Sequence, residues 1–155
     1  MKLPVLGTYT PSQVAIICHD IEATKTAYAN FLGKEIPPTV SAGDYAVTKT
    51  EYYGEPNPDA ASLLAFIELG NITLELIQPN EAKSTWRDFL EKNGEGLHHL
   101  AFNVEDIHKA MDDMKAQGFE LTQFGYYGDA SGAYAYFDAT KQLKCFIELL
   151  CSFPK

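Results

Sequence analysis

A chain of 155 residues, 46% hydrophobic and 21% charged, is one ordinary folded domain's worth, or two small modules sharing a core. Its net charge of −9, with Arg87 the single arginine, argues against nucleic-acid binding, which needs clustered Lys and Arg. No apolar run approaches the roughly 20 residues of a membrane span, and Met1-Lys2-Leu3-Pro4 lacks the apolar core of a signal peptide. Cys18, Cys145 and Cys151 have no tight spacing, so neither a disulfide framework nor a zinc knuckle is expected. The expectation is a cytoplasmic protein with no membrane or nucleic-acid partner.

Gln13 to Cys18 is rich in β-branched residues and predicts a strand. Asp20 offers a helix N-cap, Ile21, Thr24, Ala27, Tyr28, Phe31 and Leu32 follow with helical spacing, and Gly33 is a stop. Pro37 through Gly43 reads as a loop, Tyr45 to Tyr53 as a strand, and Gly54 to Pro58 as its break. Ser62 to Leu69 and Ile72 to Ile77, joined at Gly70-Asn71, predict a hairpin. Ser84 to Asn93 reads as a helix ending at Gly94. A strand over Leu97 to Val104, a helix from Asp106 to Gly118, and strands over Phe119–Phe124, Ala133–Phe137 and Lys144–Leu150 complete the chain.

The order β-α-β-β-β occurs twice, and the sequence repeats with it. Gln13-Val-Ala-Ile aligns with His99-Leu-Ala-Phe, with Asp20-Ile21 matching Asp106-Ile107, at an offset of 86; Ile72-Thr-Leu-Glu75-Leu-Ile77 aligns with Cys145-Phe-Ile-Glu148-Leu-Leu150 at an offset of 73. The chain is therefore expected to be an α+β fold of two tandem βαβββ modules within one domain, residues 1–155. Module one covers about 11–80, a connecting helix about 81–94, and module two about 95–152.

Alternate strand residues face opposite sides of a sheet. One face carries Val14, Ile16, Leu74, Leu76, Leu100, Phe102, Ile147 and Leu149, a dry surface for the helices. The other carries Gln13, Glu75, His99 and Glu148 in otherwise apolar strands. A carboxylate there is unfavourable unless paired, protonated or bound to a metal. Two of them beside a His and a Gln, with no Lys or Arg close in sequence, favour a single divalent cation. A metal-free network with a protonated glutamate is the alternative.

These residues resemble the vicinal-oxygen-chelate superfamily, which includes glyoxalase I, methylmalonyl-CoA epimerase, extradiol dioxygenases and fosfomycin- or bleomycin-resistance proteins. The resemblance runs from about Gln13 to Leu150. It is strongest over Phe89-Leu-Glu-Lys-Asn-Gly-Glu-Gly-Leu-His-His-Leu-Ala-Phe-Asn-Val104, which is similar to the epimerase branch, as is Ile67 to Pro79. It implies a curved, half-barrel-like mixed sheet with helices on its outer face. It also implies one divalent metal ion (Zn, Ni, Co, Mn or Mg) held by Gln13, Glu75, His99 and Glu148. The epimerase pattern usually has His where this chain has Gln13; the set Gln, Glu, His, Glu resembles one form of glyoxalase I.

The activity implied by the resemblance is that of a lyase, epimerase or isomerase. A metal-stabilised enediolate or enolate forms next to a carbonyl, with Glu148 as first candidate base and Glu75 as its counterpart on the other face. The two-His, one-carboxylate pattern of extradiol dioxygenases is absent. Tyr134 and Tyr136, from the tyrosines around Gly125–Gly132, are candidate substrate-binding residues, and Glu51 is a possible further acid or base. His98 has the wrong parity for the metal face and is expected to face the helices. His19 and His108 are expected at the surface, and the cysteines away from the site. The substrate stays open between an acyl-CoA, a thiol hemiacetal and a smaller hydroxy-ketone, keto acid or sugar derivative. A non-catalytic binding or resistance protein is the other reading, and a homodimer is expected only by resemblance.

Overall fold

Gln13–Ile17 forms β1, and Asp20 starts helix α1, Ile21–Leu32, by accepting a hydrogen bond from the Ala23 amide. Gly33 closes that helix at φ 65°, a left-handed position that a Cβ disfavours. The rest of the first half holds β2 (Val40–Ser41), a one-turn α2 (Tyr45–Thr48), β3 (Glu51–Tyr52), β4 (Glu55–Pro56), β5 (Ser62–Glu68) and β6 (Thr73–Pro79). Helix α3, Thr85–Asn93, is capped by Ser84, whose hydroxyl accepts from the Arg87 amide. The second half holds β7 (Gly96–Asn103), α4 (Ile107–Ala116), β8 (Glu120–Tyr126), β9 (Gly132–Ala139), α5 (Thr140–Leu143) and β10 (Cys145–Ser152). Asp106 caps α4 through the Lys109 amide, as Asp20 caps α1. The computed structural model describes residues 2–155; Met1, with which the predicted domain opens, lies outside them.

All ten strands form one curled mixed sheet in the order β2-β5-β6-β1-β7-β10-β9-β8-β3-β4. The repeat is visible in the pairing. β1 runs parallel to β6, which is antiparallel to β5, and β7 runs parallel to β10, which is antiparallel to β9. The copies meet where β1 and β7 pair antiparallel at the sheet centre. The dry face packs as its pattern predicts. Val14, Ile16, Leu74 and Leu76 join Ile21 and Tyr28 of α1, and Leu100, Phe102, Ile147 and Leu149 join Ile107, Met111 and Met114 of α4.

Two expectations are corrected. Tyr45 to Tyr53 does not form one strand beside its own module. After β2 the chain makes the single turn α2 and crosses to the opposite end of the sheet, where Glu51 and Tyr52 pair with Phe124 and Gln123 of β8. Gly43 permits this crossing: its φ of +113° is a glycine position, and it passes so near Gly128 that a Cβ would sit 2.5 Å from the Gly128 Cα. The helices are also not all outside. Trp86 and Leu90 of α3 pack with Ala15, Ile17, Ile77 and Tyr136, so α3 lies on the inner face that carries Gln13 and Glu75. Among the described residues no helix is long and apolar enough to cross a membrane.

Candidate metal centre

The four polar residues of the inner face come from four adjacent central strands: Glu75 from β6, Gln13 from β1, His99 from β7 and Glu148 from β10. Ligand atoms of Glu75, His99 and Glu148 all lie within 4.8 Å of one another, and all three residues are buried. Gln13 joins them on the wall of a cavity of about 580 Å³ that also includes Glu75 and Glu148.

The donor set passes a test of unmet bonding. Gln13 Oε1, His99 Nε2 and Glu148 Oε2 are buried without a hydrogen-bond partner. His99 Nε2 and Glu148 Oε2 approach to 2.8 Å, yet not with the angles of a hydrogen bond, so the contact satisfies neither. Each such orphan costs about 1–3 kcal/mol. One divalent cation accepting from an amide oxygen, an imidazole nitrogen and two carboxylates would satisfy them together, and this nitrogen and oxygen set suits Zn, Ni, Co, Mn or Mg.

Without a cation the centre stays nearly neutral. Burial raises the Glu75 carboxyl well above the ordinary range, and the facing Glu148 raises it further. Burial raises Glu148 as well, with the Tyr136 hydroxyl, a hydrogen-bond donor, acting in the opposite sense. Burial drives His99 down to about 3, so its imidazole is neutral and can offer a lone pair.

His98 departs from the expected parity. The β1–β7 register shifts between Ala15 and Ile16: Ala15 faces His99 and Ile16 faces Leu97, which leaves His98 as the extra residue of a β-bulge. A bulge re-aims a side chain. The His98 ring accordingly lies on the inner side, stacked on Phe146 and edge-on to Phe89 and Tyr136, with Nδ1 2.8 Å from Nδ1 of His99. If His99 offers Nε2 to a cation, its Nδ1 carries the proton and donates to His98 Nδ1. His98 therefore fixes the tautomer of its neighbour.

Tyr134 and Tyr136 both line the cavity, with Tyr126 and Tyr127 of the same cluster. Tyr136 Oη accepts from Trp86 Nε1 at 3.0 Å, and Tyr134 Oη accepts from Gln123 Nε2 at 3.1 Å. Glu51 is not brought to this group. It is exposed on β3, at the far end of the sheet, and the cavity wall does not include it. His19 and His108 are exposed, and the three cysteines are buried free thiols outside the cavity wall. Trp86 was not among the predicted site residues. Its signal was the apolar face Trp86, Phe89, Leu90 on a short helix, which needed a surface to cover.

Residues 12–137 match the model of the family described as the Glyoxalase/Bleomycin resistance protein/Dioxygenase superfamily. The chain belongs to this superfamily. It is 35% identical over 115 residues to an ethylmalonyl-CoA/methylmalonyl-CoA epimerase of Cereibacter sphaeroides, covering 74% of this chain and 75% of that one. It is 30% identical to the mitochondrial methylmalonyl-CoA epimerase of Bos taurus, covering 76% of this chain and 59% of the bovine protein. The chain thus spans three quarters of the bacterial relative and well under two thirds of the mitochondrial one. The crystal structure of methylmalonyl-CoA epimerase from Mycobacterium tuberculosis shares the fold with a TM-score of 0.62 at 20% identity, over 99% of this chain and 93% of that one.

Proposed function

We propose that this superfamily member is a metal-dependent isomerase or lyase that moves a proton at the carbon next to a carbonyl. The observation that carries the reading is the convergence of three orphaned, buried ligand atoms, on Gln13, His99 and Glu148, beside the buried Glu75 carboxyl. Relatives named as ethylmalonyl-CoA/methylmalonyl-CoA epimerases support the same reaction type.

Gln13, Glu75, His99 and Glu148 are the residues assigned to hold the divalent ion. When bound, it supplies Lewis-acid polarisation of a carbonyl oxygen and stabilises the negative charge left on deprotonation. Glu148 is the residue assigned to take the proton; burial raises its carboxyl in the metal-free site, and a bound cation would act in the opposite sense. Glu75, its counterpart from the other module, stands ready to return a proton from the opposite side, as an epimerase requires. Tyr136 is kept protonated by burial. Its oxygen accepts from Trp86 and its own proton is turned toward Glu148, so Tyr136 orients that carboxylate. Trp86 and the aromatic wall exclude water from the centre.

The test combines elemental analysis with proton exchange in deuterated water, run on methylmalonyl-CoA, on methylglyoxal hemithioacetals and on small hydroxy-ketones. About one divalent metal per chain, lost in His99→Ala and Glu75→Ala, and carbon-bound deuterium from at least one compound are expected. Glu148→Gln retaining metal and full turnover would overturn the assignment of the base.

A further inference from the structure

The β8–β9 hairpin carries two tyrosine–glycine pairs against the cavity. Tyr134 stands in register with Gly125, and the Tyr127 amide donates to the Gly132 carbonyl at 2.9 Å. In each pair the tyrosine ring lies across the bare backbone of the other strand. A Cβ on Gly125 would come within 2.8 Å of Tyr134 Oη and Cε1, and a Cβ on Gly132 within 2.3 Å of Tyr127 Cε2. Glycine inside a strand weakens it and marks a close approach. Here the approach is made by the rings, and both tyrosines line the cavity. Gly132 is also pressed against the Cys151 carbonyl oxygen, whereas the three atoms nearest a Cβ on Gly125 all belong to Tyr134. Gly125 is outside the cavity wall, behind that ring.

The Gly125 pair bears on the metal centre. The Tyr134 ring centre lies 5.5 Å from that of Tyr136, which lies 5.1 Å from that of His99. The tip of Tyr134 is tied down: its oxygen accepts from Gln123 Nε2 at 3.1 Å, and Gln123 Oε1 accepts from the Thr85 amide of α3 at 2.9 Å. A small swing of the hydroxyl therefore does not make room for a side chain at position 125. The ring has to leave β8, and its other in-register neighbour is Leu150 of β10, which is on the cavity wall. Movement toward Leu150 carries the ring into the lumen. The space it would fill is apolar, with Leu64, Phe66, Trp86 and Leu150 on its wall. At about 580 Å³ the cavity is of the size that buries small organic ligands whole.

We propose that Gly125 is a positioning residue that sets specificity: by letting Tyr134 lie across β8, it keeps the lumen beside the metal centre open to an apolar substituent, of the size of an aromatic ring, next to the substrate's metal-binding oxygens. The proposal rests on the metal-centred reading above and adds to it the shape of the substrate. It holds for a thioester as for a free carbonyl compound, because the lumen receives the substituent on the reacting unit. Gly125 touches no substrate atom and acts through Tyr134. One methylene of misfit in a hydrophobic pocket is worth about 10- to 200-fold. A ring displaced into this space therefore discriminates against bulky ligands and spares small ones.

Acetohydroxamate and benzohydroxamate test this apart from turnover. Each chelates a cation through two neighbouring oxygens, and they differ in a methyl against a phenyl group. Wild type and Gly125→Ala, reconstituted with Zn, Ni, Co or Mn, are titrated calorimetrically. Metal content is measured on the same samples, and binding to chelator-treated protein is subtracted. Wild type is expected to bind benzohydroxamate more tightly than acetohydroxamate. Gly125→Ala is expected to lose about tenfold or more in affinity for benzohydroxamate and to change little for acetohydroxamate. The double variant Gly125→Ala/Tyr134→Leu, which removes the overlapping ring, is expected to recover benzohydroxamate. Equal change for both compounds, or none for either, in a folded Gly125→Ala protein that holds its metal overturns the proposal and leaves Gly125 a packing residue of the sheet. Wild type that binds acetohydroxamate as tightly overturns it too. Should Gly125→Ala not fold, Tyr134→Leu alone takes its place: the ratio of 2-naphthohydroxamate to acetohydroxamate affinity is expected to rise about tenfold, and an unchanged ratio overturns the proposal. Wild type that takes up none of the four metals overturns the metal-centred reading and the proposal with it, whereas lost size discrimination with metal bound overturns the proposal alone.

Discussion

Ala15 and Ala101 hold equivalent places beneath the converging polar groups: Ala15 stands in register between Glu75 and His99, and Ala101 between Gln13 and Glu148. Both are fully buried. A methyl is all the floor holds, so four longer side chains can lean inward over it. Ala101→Val adds bulk where Gln13 and Glu148 approach. Overpacking of this kind costs about 1–3 kcal/mol. A lower unfolding temperature and a loss of bound metal are expected, read by calorimetry and elemental analysis; full metal content in this variant would show that the floor is not limiting.

Metal affinity should rise with pH. A cation needs Glu75 and Glu148 ionised, and burial raises both carboxyls in its absence. Protons therefore compete with the metal through a range where ordinary carboxylates would already be free. Binding is expected to release protons, seen as a calorimetric heat that changes with the buffer's ionisation enthalpy. Affinity independent of pH between 5 and 8 would contradict it.

The metal-free protein should lose stability as pH rises above 6.5. Unfolded glutamates ionise from about 4.5 upward, while the folded pair keeps its protons longer, so the folded state binds more protons and stability falls with pH. Unfolded histidines charge below 6.5, whereas His99 stays neutral down to about 3, so this group removes stability as pH falls. The two effects oppose each other below 6.5, and above it only the carboxyl effect remains. Chelator-treated protein, melted at pH 6.5 and 8, gives the comparison; metal-loaded protein should show a smaller decline.

His98→Phe keeps a ring of similar shape but removes the acceptor for His99 Nδ1. Partners of this kind are commonly worth 10- to 100-fold in metal affinity, and the abandoned donor costs about 1–3 kcal/mol. Competition against a chromophoric chelator should show the loss, with His98→Asn restoring part of it. Unchanged affinity in His98→Phe would mean that the His98–His99 contact does not set the tautomer.

Gly43→Ala should free the crossing segment. The added methyl meets the Gly128 backbone at 2.5 Å, and alanine is strained at φ +113°. A loss of about 1–3 kcal/mol is expected, with faster proteolysis confined to the stretch before β3. An unchanged cleavage pattern would show that the close approach does not hold this segment.

Much of the centre was legible because it depends on strand parity and on an internal repeat. Gln13, Glu75, His99 and Glu148 could be placed on one face from alternation alone, and their symmetry came from aligned residues. His98 was not legible, because a bulge breaks alternation and nothing in Leu97-His-His-Leu100 announces one. The stretch Tyr45 to Tyr53 has the local character of a strand, but local character does not name a partner. Its pairing with β8 is set by packing across the molecule, which also carried Glu51 away from the cavity. Helix α3 is legible from its own Ser84 cap and Gly94 stop; which side of a curled sheet it covers depends on Trp86 reaching Tyr136, far off in sequence.

The crossing of the first half to the edge of β8 also sets an order in time. A chain leaving the ribosome presents β3 and β4 long before their partner strand exists. Glu51 and Tyr52 can pair at once with Pro56 and Glu55 of β4, but their pairing with β8 must wait while α3, β7 and α4 are made. Loop closure over such a distance is slow. The edge of the sheet formed by β3 and β4 is thus completed only once the second half of the chain is in place, whereas Val40 and Ser41 of the cavity wall pair with β5 within the first half.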